Sequence, residues 1–259
     1  MNLSQFAETG FLNVLRGITF AAPSQVFCGL FLTSPGESGT AGTEVAYTGY
    51  ARMPITFEPP TPESAGIGIR NDAQLTFAES AINAGTVRFI GVFDSATGGN
   101  MYLYGELTED LPIVQGESPV LLLRETLFFT IGNLSMAYKT RLFNIVRGQT
   151  LSGFESYCAL YNGDPENGGS ELLGGNYQRV LLNFTAPTKN ANGISVIVNI
   201  QLAEFPNPTV NWGNWTHTAI FDSQTGGEPV FIQQRATPKL LNKGIMPFIR
   251  TGGVMMGIN

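Results

Sequence analysis

FDSATGG at residues 93–99 returns as FDSQTGG at residues 221–227, 128 positions later and with one change, Ala96 to Gln224. A heptapeptide written twice is either a reusable chemical device or the least altered corner of a duplicated fold. A duplicated fold keeps its landmarks in order, with offsets that drift only where loops gain or lose residues. The flanking sequence meets that condition. Phe11–Gly17 (FLNVLRG) answers Leu142–Gly148 (LFNIVRG) at an offset of 131, and Cys28 answers Cys158 at 130. Glu44, Tyr50 and Arg52 answer Glu171, Tyr177 and Arg179 at 127, and Gly116 and Pro119 answer Gly244 and Pro247 at 128. The shared order predicts two tandem domains, residues 1–134 and 139–259, joined by a linker at 135–138. Each is of ordinary domain size and is expected to bury its own core.

The repeated heptapeptide follows an apolar run in both copies, VRFIGVFD (87–94) and WTHTAIFD (215–222), and an extended segment follows it. Asp94 and Asp222 are placed to accept hydrogen bonds from the backbone a few residues on, while Gly98, Gly99, Gly226 and Gly227 permit the positive φ of a reversal. The reading is a β-hairpin loop. A calcium loop is the alternative, but one carboxylate and two hydroxyls fall short of the six to eight oxygens that ion takes. Other segments, VFCGLFLT, YARMPITF, QRVLLNFTA and ISVIVNIQLA among them, are short, rich in β-branched and aromatic residues, and bounded by Gly, Pro and Asn. Each copy opens with one short helix: Ser4 caps the first, Phe6, Phe11, Leu12, Val14 and Leu15 recur along it with most of them on one face, and Leu142, Phe143, Ile145 and Val146 line the second. The expected fold class is all-β, two tandem antiparallel β-sandwich (jelly-roll-like) domains, each preceded by a short N-terminal helix.

Composition narrows the function classes. Charged residues are 13% of the chain against 43% hydrophobic, so much of the surface is polar but uncharged, as on proteins covered in an assembly. The net charge of −6, with four Lys and ten Arg scattered, offers no basic stripe for nucleic acid. No run of about 18 apolar residues marks a membrane span, and MNLSQFAETG lacks a signal peptide's basic and apolar regions, which predicts synthesis in the host cytoplasm. Cys28 and Cys158, at equivalent places in separate domains, are expected as buried thiols rather than a disulfide.

No catalytic set converges. His217 is the only histidine, so a Ser-His-Asp triad or a multi-histidine zinc site must pass through it. Glu106, Glu109 and Asp110, or Glu155 with Asp164, fall in loops with no reason to face one another as a glycosidase pair. No cofactor or metal is expected. The Glu44–Arg52 and Glu171–Arg179 spacing of eight, with Tyr50 and Tyr177 between, reads as a structural ion pair or hydrogen-bonded corner. Trp212 and Trp215, with His217 and the tyrosines Tyr157, Tyr161 and Tyr177, are the candidate ligand platform for stacking sugar rings, against the reading that they are core. The Pro-rich segments 59–66 and 206–209 are expected as loops facing a neighbour.

The motifs NVLRG, GLFLTSPGE, EVAYTGYAR, VRFIGVFDSATGGNMYLYGEL and LPIVQGESP in the first copy, and NIVRG, ALYNGDPE, ELLGGNYQR, WGNWTHTAIFDSQTGGEPVFI and TPKLLNKGI in the second, resemble a module of tailed-bacteriophage structural genes commonly labelled phage tail fibre protein. The resemblance covers most of both halves. The first copy departs from it where Ala84, Arg88 and Phe89 replace the Trp, Thr and His that the second keeps as Trp212, Thr216 and His217. The resemblance implies a non-enzymatic virion protein of the tail fibre or tail tip, the neck or the capsid surface. It would assemble as a homo-oligomer and with other phage virion proteins; a host surface glycan is the partner in the alternative, a receptor- or carbohydrate-binding module. Fusion of a single-domain subunit to itself turns a symmetric contact between chains into one chain whose halves are free to differ.

Overall fold

The computed structural model describes residues 2–63, 66–124, 127–130 and 133–258. Its first helix, α1, spans Gln5–Val14, with the Ser4 hydroxyl accepting the Ala7 N–H at 3.1 Å as N-cap. Phe11, Leu12 and Val14 are buried, and Gly17 ends the segment at φ +83°. The second, α2, spans Met136–Asn144 and runs into a 3-10 turn at Ile145–Arg147, with Gly148 at φ +84°. Residues 135–138, expected as a linker, are its N-cap and first turn: the Ser135 hydroxyl accepts the Tyr138 N–H at 3.2 Å, as Ser4 does for α1.

The strands of the two copies correspond in order, save that Asn2–Leu3 is matched in the second by the single bridge of Leu134 to Phe231, and Ser170–Glu171, paired to Ser156–Asn162, in the first by the single bridge of Glu44 to Phe31. In the first copy an antiparallel five-stranded sheet runs in the order Asn2–Leu3, Met101–Ile113, Gly85–Phe93, Val26–Phe31, Met53–Ile55. Its centre places Cys28 between Val92 and Met53. In the second, Ser156–Asn162 lies between Gly213–Phe221 and Val180–Leu182, with Pro229–Leu241 outside, and Cys158 sits between Ile220 and Val180. Irregularities of register interrupt the long hairpins at matching places, between Val87 and Phe89 and between Trp215 and His217. A smaller three-stranded sheet follows in each copy, Thr61–Glu63, Gly66–Arg70 and Leu127–Thr130 in one, Thr188–Lys189, Ser195–Val198 and Met255–Ile258 in the other. Residues 61–63, expected within a loop, are therefore the outer strand of a hairpin; positions 64 and 65 lie outside the described residues. Alternate residues of the large sheet (Cys28, Leu30, Ile90, Val92) and of the smaller strands (Ile67, Ile69, Leu75, Leu121) are buried in one cluster, which makes each copy a two-layered sandwich.

The copies face each other across a local twofold relation. Phe20 and Leu151, equivalent residues, exchange both backbone hydrogen bonds at 2.9 and 3.0 Å. Around them each contact occurs twice with partners exchanged. Thr150 Oγ1 accepts from Ala22 N and Thr19 Oγ1 from Gly153 N. Arg16 Nε donates to the Phe184 carbonyl and Arg147 Nε to the Phe57 carbonyl, at 3.3 and 3.2 Å. Each helix also bridges the copies: α1 packs on Met101–Ile113 of its own copy and on Ser195–Val198 of the other, and α2 on Pro229–Leu241 of its own and on Gly66–Arg70 of the other. The expectation of a separate core in each half is thereby corrected. Because each helix is packed between its own copy's sheet and the other copy's small sheet, the buried cluster is continuous through both halves.

Candidate functional site

The two motifs repeated in the sequence meet in space. In the first copy the Glu44 carboxylate receives Arg52 through two parallel hydrogen bonds, Nε to Oε1 and Nη2 to Oε2, both 2.8 Å. This fork-to-fork geometry is the strongest that the two groups form. The Tyr50 hydroxyl donates to Glu44 Oε1 and accepts the Leu30 N–H, tying the pair to the central strand. The third guanidinium nitrogen, Nη1, reaches the Gly98 carbonyl in the hairpin loop at 2.7 Å, and the cation lies 3.5 Å from the centre of the Phe93 ring. The second copy repeats each element. Arg179 holds Glu171 at 2.9 and 2.8 Å, the Ser223 and Gly226 carbonyls at 2.9 and 2.6 Å, and the Phe221 ring at 3.6 Å. Tyr177 bridges Glu171 and Leu160 N. Burial and then the neighbouring carboxylates push the Tyr50 and Tyr177 phenols well above their usual range, so both are neutral donors.

The loop so held is the hairpin read from FDS(A/Q)TGG. Asp94 Oδ1 accepts the Asn100 N–H at 2.7 Å and Asp222 Oδ1 the Glu228 N–H at 2.8 Å, closing the loop from within. A Cβ on Gly99 or Gly227 would run into that same aspartate oxygen, whereas one on Gly98 or Gly226 would meet nothing, so positive φ alone accounts for the first glycine of each pair and φ together with the close approach for the second. The carboxylates that a calcium loop would offer are spent on backbone amides. No group of three His, Cys, Asp or Glu side chains comes together among the described residues.

The proposed ligand platform does not form. Trp212 and Trp215 are 5% and 1% exposed, so neither presents a face to a sugar ring. Their indole N–H groups are satisfied internally, by the Gly174 carbonyl at 3.1 Å and Thr218 Oγ1 at 3.2 Å. Tyr161 is stacked on Phe221 beneath the clamp, and Tyr177 belongs to the clamp itself. His217 is half-buried with Nδ1 3.0 Å from Thr216 Oγ1, which also accepts the Gly163 N–H. Cys28 and Cys158 are free and fully buried, and burial pushes the Cys28 thiol up to about 12 and that of Cys158 higher still.

Two groups escaped sequence reading because each breaks the likeness of the copies. Buried Glu8 binds Lys189 Nζ at 2.8 Å and Ser195 Oγ at 2.6 Å across the contact between halves; the equivalent positions are Lys139, Pro62 and Ile67. Burial raises the Glu8 carboxyl above its ordinary range against the pull of those partners. The second group is Asp222 Oδ2, which accepts the Tyr138 hydroxyl at 2.7 Å and Arg141 Nη1 at 3.3 Å where the first copy has Ala7 and Gly10. The signal lies in the pairing of the halves: opposite charges at Glu8 and Lys139, polar Ser195 opposite Ile67, and Tyr138 and Arg141 opposite the small Ala7 and Gly10.

The geometry is that of a duplicated antiparallel β protein whose copies meet in a twofold-like contact and whose repeated hairpin loops are braced from within. The chain belongs to the family described as Podophage GP4 fiber I protein gp80, whose model matches residues 2–126 and again 133–257, one match per copy. It is a bacteriophage fibre structural protein, present as a tandem duplication. No curated protein matches it. Among the described residues no helix is long and apolar enough to cross a membrane.

Proposed function

We propose that this protein is a non-enzymatic building block of the phage fibre, a covalent pseudo-dimer that assembles with copies of itself and with other virion proteins. The family description favours a station in the fibre over the neck or the capsid surface. The observation that carries the reading is a difference between equivalent surfaces. Exposed Asp72, Gln74, Glu117 and Ser118 of the first copy stand where the second has Ile200, Leu202, Ile245 and Met246. The latter four are 55, 45, 43 and 45% exposed, and Phe248, as exposed, replaces Val120. The difference runs both ways, since exposed Leu122 and Leu123 of the first copy stand where the second has Arg250 and Thr251, so each copy presents its own exposed apolar side chains to a different neighbour, as apolar surface at protein contacts does. The clamps serve it by fixing the loops, and the fused twofold contact leaves the outer faces free to differ.

Restoring the first copy's residues tests this reading. Ile200→Asp, Leu202→Gln and Met246→Ser together are expected to leave the melting temperature within a few degrees of the parent, since surface changes cost about 0.5 kcal/mol or less each. The same protein is expected to be lost from purified particles, or from self-assembled material, as read by mass spectrometry and light scattering. Unaltered incorporation would place the contact elsewhere.

A further inference from the structure

We infer that the protein joins to itself through unlike copies, the face around Asp72 and Leu122 of one chain binding the face around Ile200 and Arg250 of the next. The inference rests on the docking reading above and names a second copy of this chain as the partner of that face.

The two faces are built on one frame. Asn71 Nδ2 donates to the Leu122 carbonyl at 2.8 Å, and its equivalent, Asn199 Nδ2, to the Arg250 carbonyl at 3.0 Å. The Asn71 carbonyl accepts the Arg124 N–H at 3.1 Å and the Asn199 carbonyl the Gly252 N–H at 2.9 Å. Each copy thereby holds two short segments side by side, 71–74 with 122–124 and 199–202 with 250–252. Only the outward residues differ. The first copy has Asp72 and Gln74 where the second has Ile200 and Leu202, and Leu122 and Leu123 where the second has Arg250 and Thr251. All eight are exposed.

The change of character is reciprocal, and this selects the partner. A local twofold contact, like the one that already joins the copies within the chain, sets the first segment of one face against the second segment of the other. Between unlike copies it pairs Asp72 with Arg250 and Leu122 with Ile200, and likewise Gln74 with Thr251 and Leu123 with Leu202. Charge meets opposite charge and aliphatic meets aliphatic. Between two first copies the same contact sets Asp72 against Leu122 twice, and between two second copies Ile200 against Arg250 twice. Either would desolvate charges without compensation. Among the described residues the Asp72 carboxylate accepts only the Thr56 hydroxyl, and the one nearby cation, Arg124, is paired with Glu58 at 3.5 Å. The Arg250 guanidinium likewise has no carboxylate partner among the described residues, so a second chain supplies what both lack. Each chain carries one face of each kind, so the contact repeats from chain to chain.

Charge reversal gives the test. Sedimentation and light scattering of the full chain compare the parent, Asp72→Arg, Arg250→Asp and an equimolar mixture of the two variants. Both variants are expected to keep the parent's melting temperature within a few degrees, since the positions are exposed. The parent is expected to associate as its concentration rises. Each variant alone sets like charges opposite one another and is expected to associate at least about tenfold more weakly, whereas the mixture, in which the reversed faces match, recovers the parent's association. A parent that stays monomeric at every concentration would overturn the inference. So would a variant that associates alone as the parent does, the outcome of a contact between like copies, or a mixture that recovers nothing. Particles that lose the Ile200→Asp, Leu202→Gln, Met246→Ser protein but retain both charge variants would overturn it too, while leaving the docking reading standing with another virion protein as the partner.

Discussion

Arg179→Ala is expected to lower the unfolding free energy by about 3–5 kcal/mol, the usual cost of removing one partner from a buried, hydrogen-bonded ion pair. Arg179 is 7% exposed and Glu171 15%, so the carboxylate left behind keeps its desolvation and loses its compensation. The Ser223 and Gly226 carbonyls lose their donor in the same step, and the ring of Phe221 loses its cation. Arg179→Lys keeps the charge but cannot reproduce the fork, and is expected to fall between parent and alanine. Arg88 and Asp110 supply the contrast, a pair 60% and 57% exposed, whose loss is expected to cost no more than about 1 kcal/mol. Urea unfolding followed by tryptophan fluorescence measures all three; an Arg179→Ala loss as small as that at Arg88 would reduce the clamp to a surface contact.

The second large effect is expected at Trp215. Its side chain is among the largest fully buried in the protein, with Arg235 stacked 3.6 Å from the ring. Trp215→Ala removes that volume and leaves Thr218 without its donor, so a loss of about 3–5 kcal/mol is expected. Trp215→Phe, which restores most of the volume, is expected to recover more than half of it. A tryptophan that served a ligand from the surface would behave the other way, with binding lost and stability kept. Chemical denaturation of Trp215→Ala beside the parent separates the two cases.

The sequence was legible where the fold is local. The Asp-to-Gly-Gly turn, the helix cap at Ser4 and the spacing of Glu44, Tyr50 and Arg52 each depend on neighbours a few residues away. Ser135 carried the same cap signal as Ser4, preceded by leucine in both copies, but the low apolar content of MAYKT hid the helix start. Trp215 was ambiguous for a different reason. It lies at the irregularity of register between residues 215 and 217, where alternation no longer tells the inner face from the outer. The placing of each helix against both copies was not legible at all. An apolar stripe states that a helix is buried and not which sheet covers it, and equivalent sheets in two copies present equally suitable surfaces.

That bridging also decides how the protein unfolds. Two sandwiches that each own a core would melt separately, whereas halves that share one buried cluster melt together. Differential scanning calorimetry of the parent and of Arg52→Ala, a lesion confined to the first copy, tests the fused twofold pair most directly. One transition is predicted, with calorimetric and van't Hoff enthalpies in agreement, and Arg52→Ala shifting the whole of it to lower temperature. Two resolved transitions, only one of them moved by the lesion, would contradict the account.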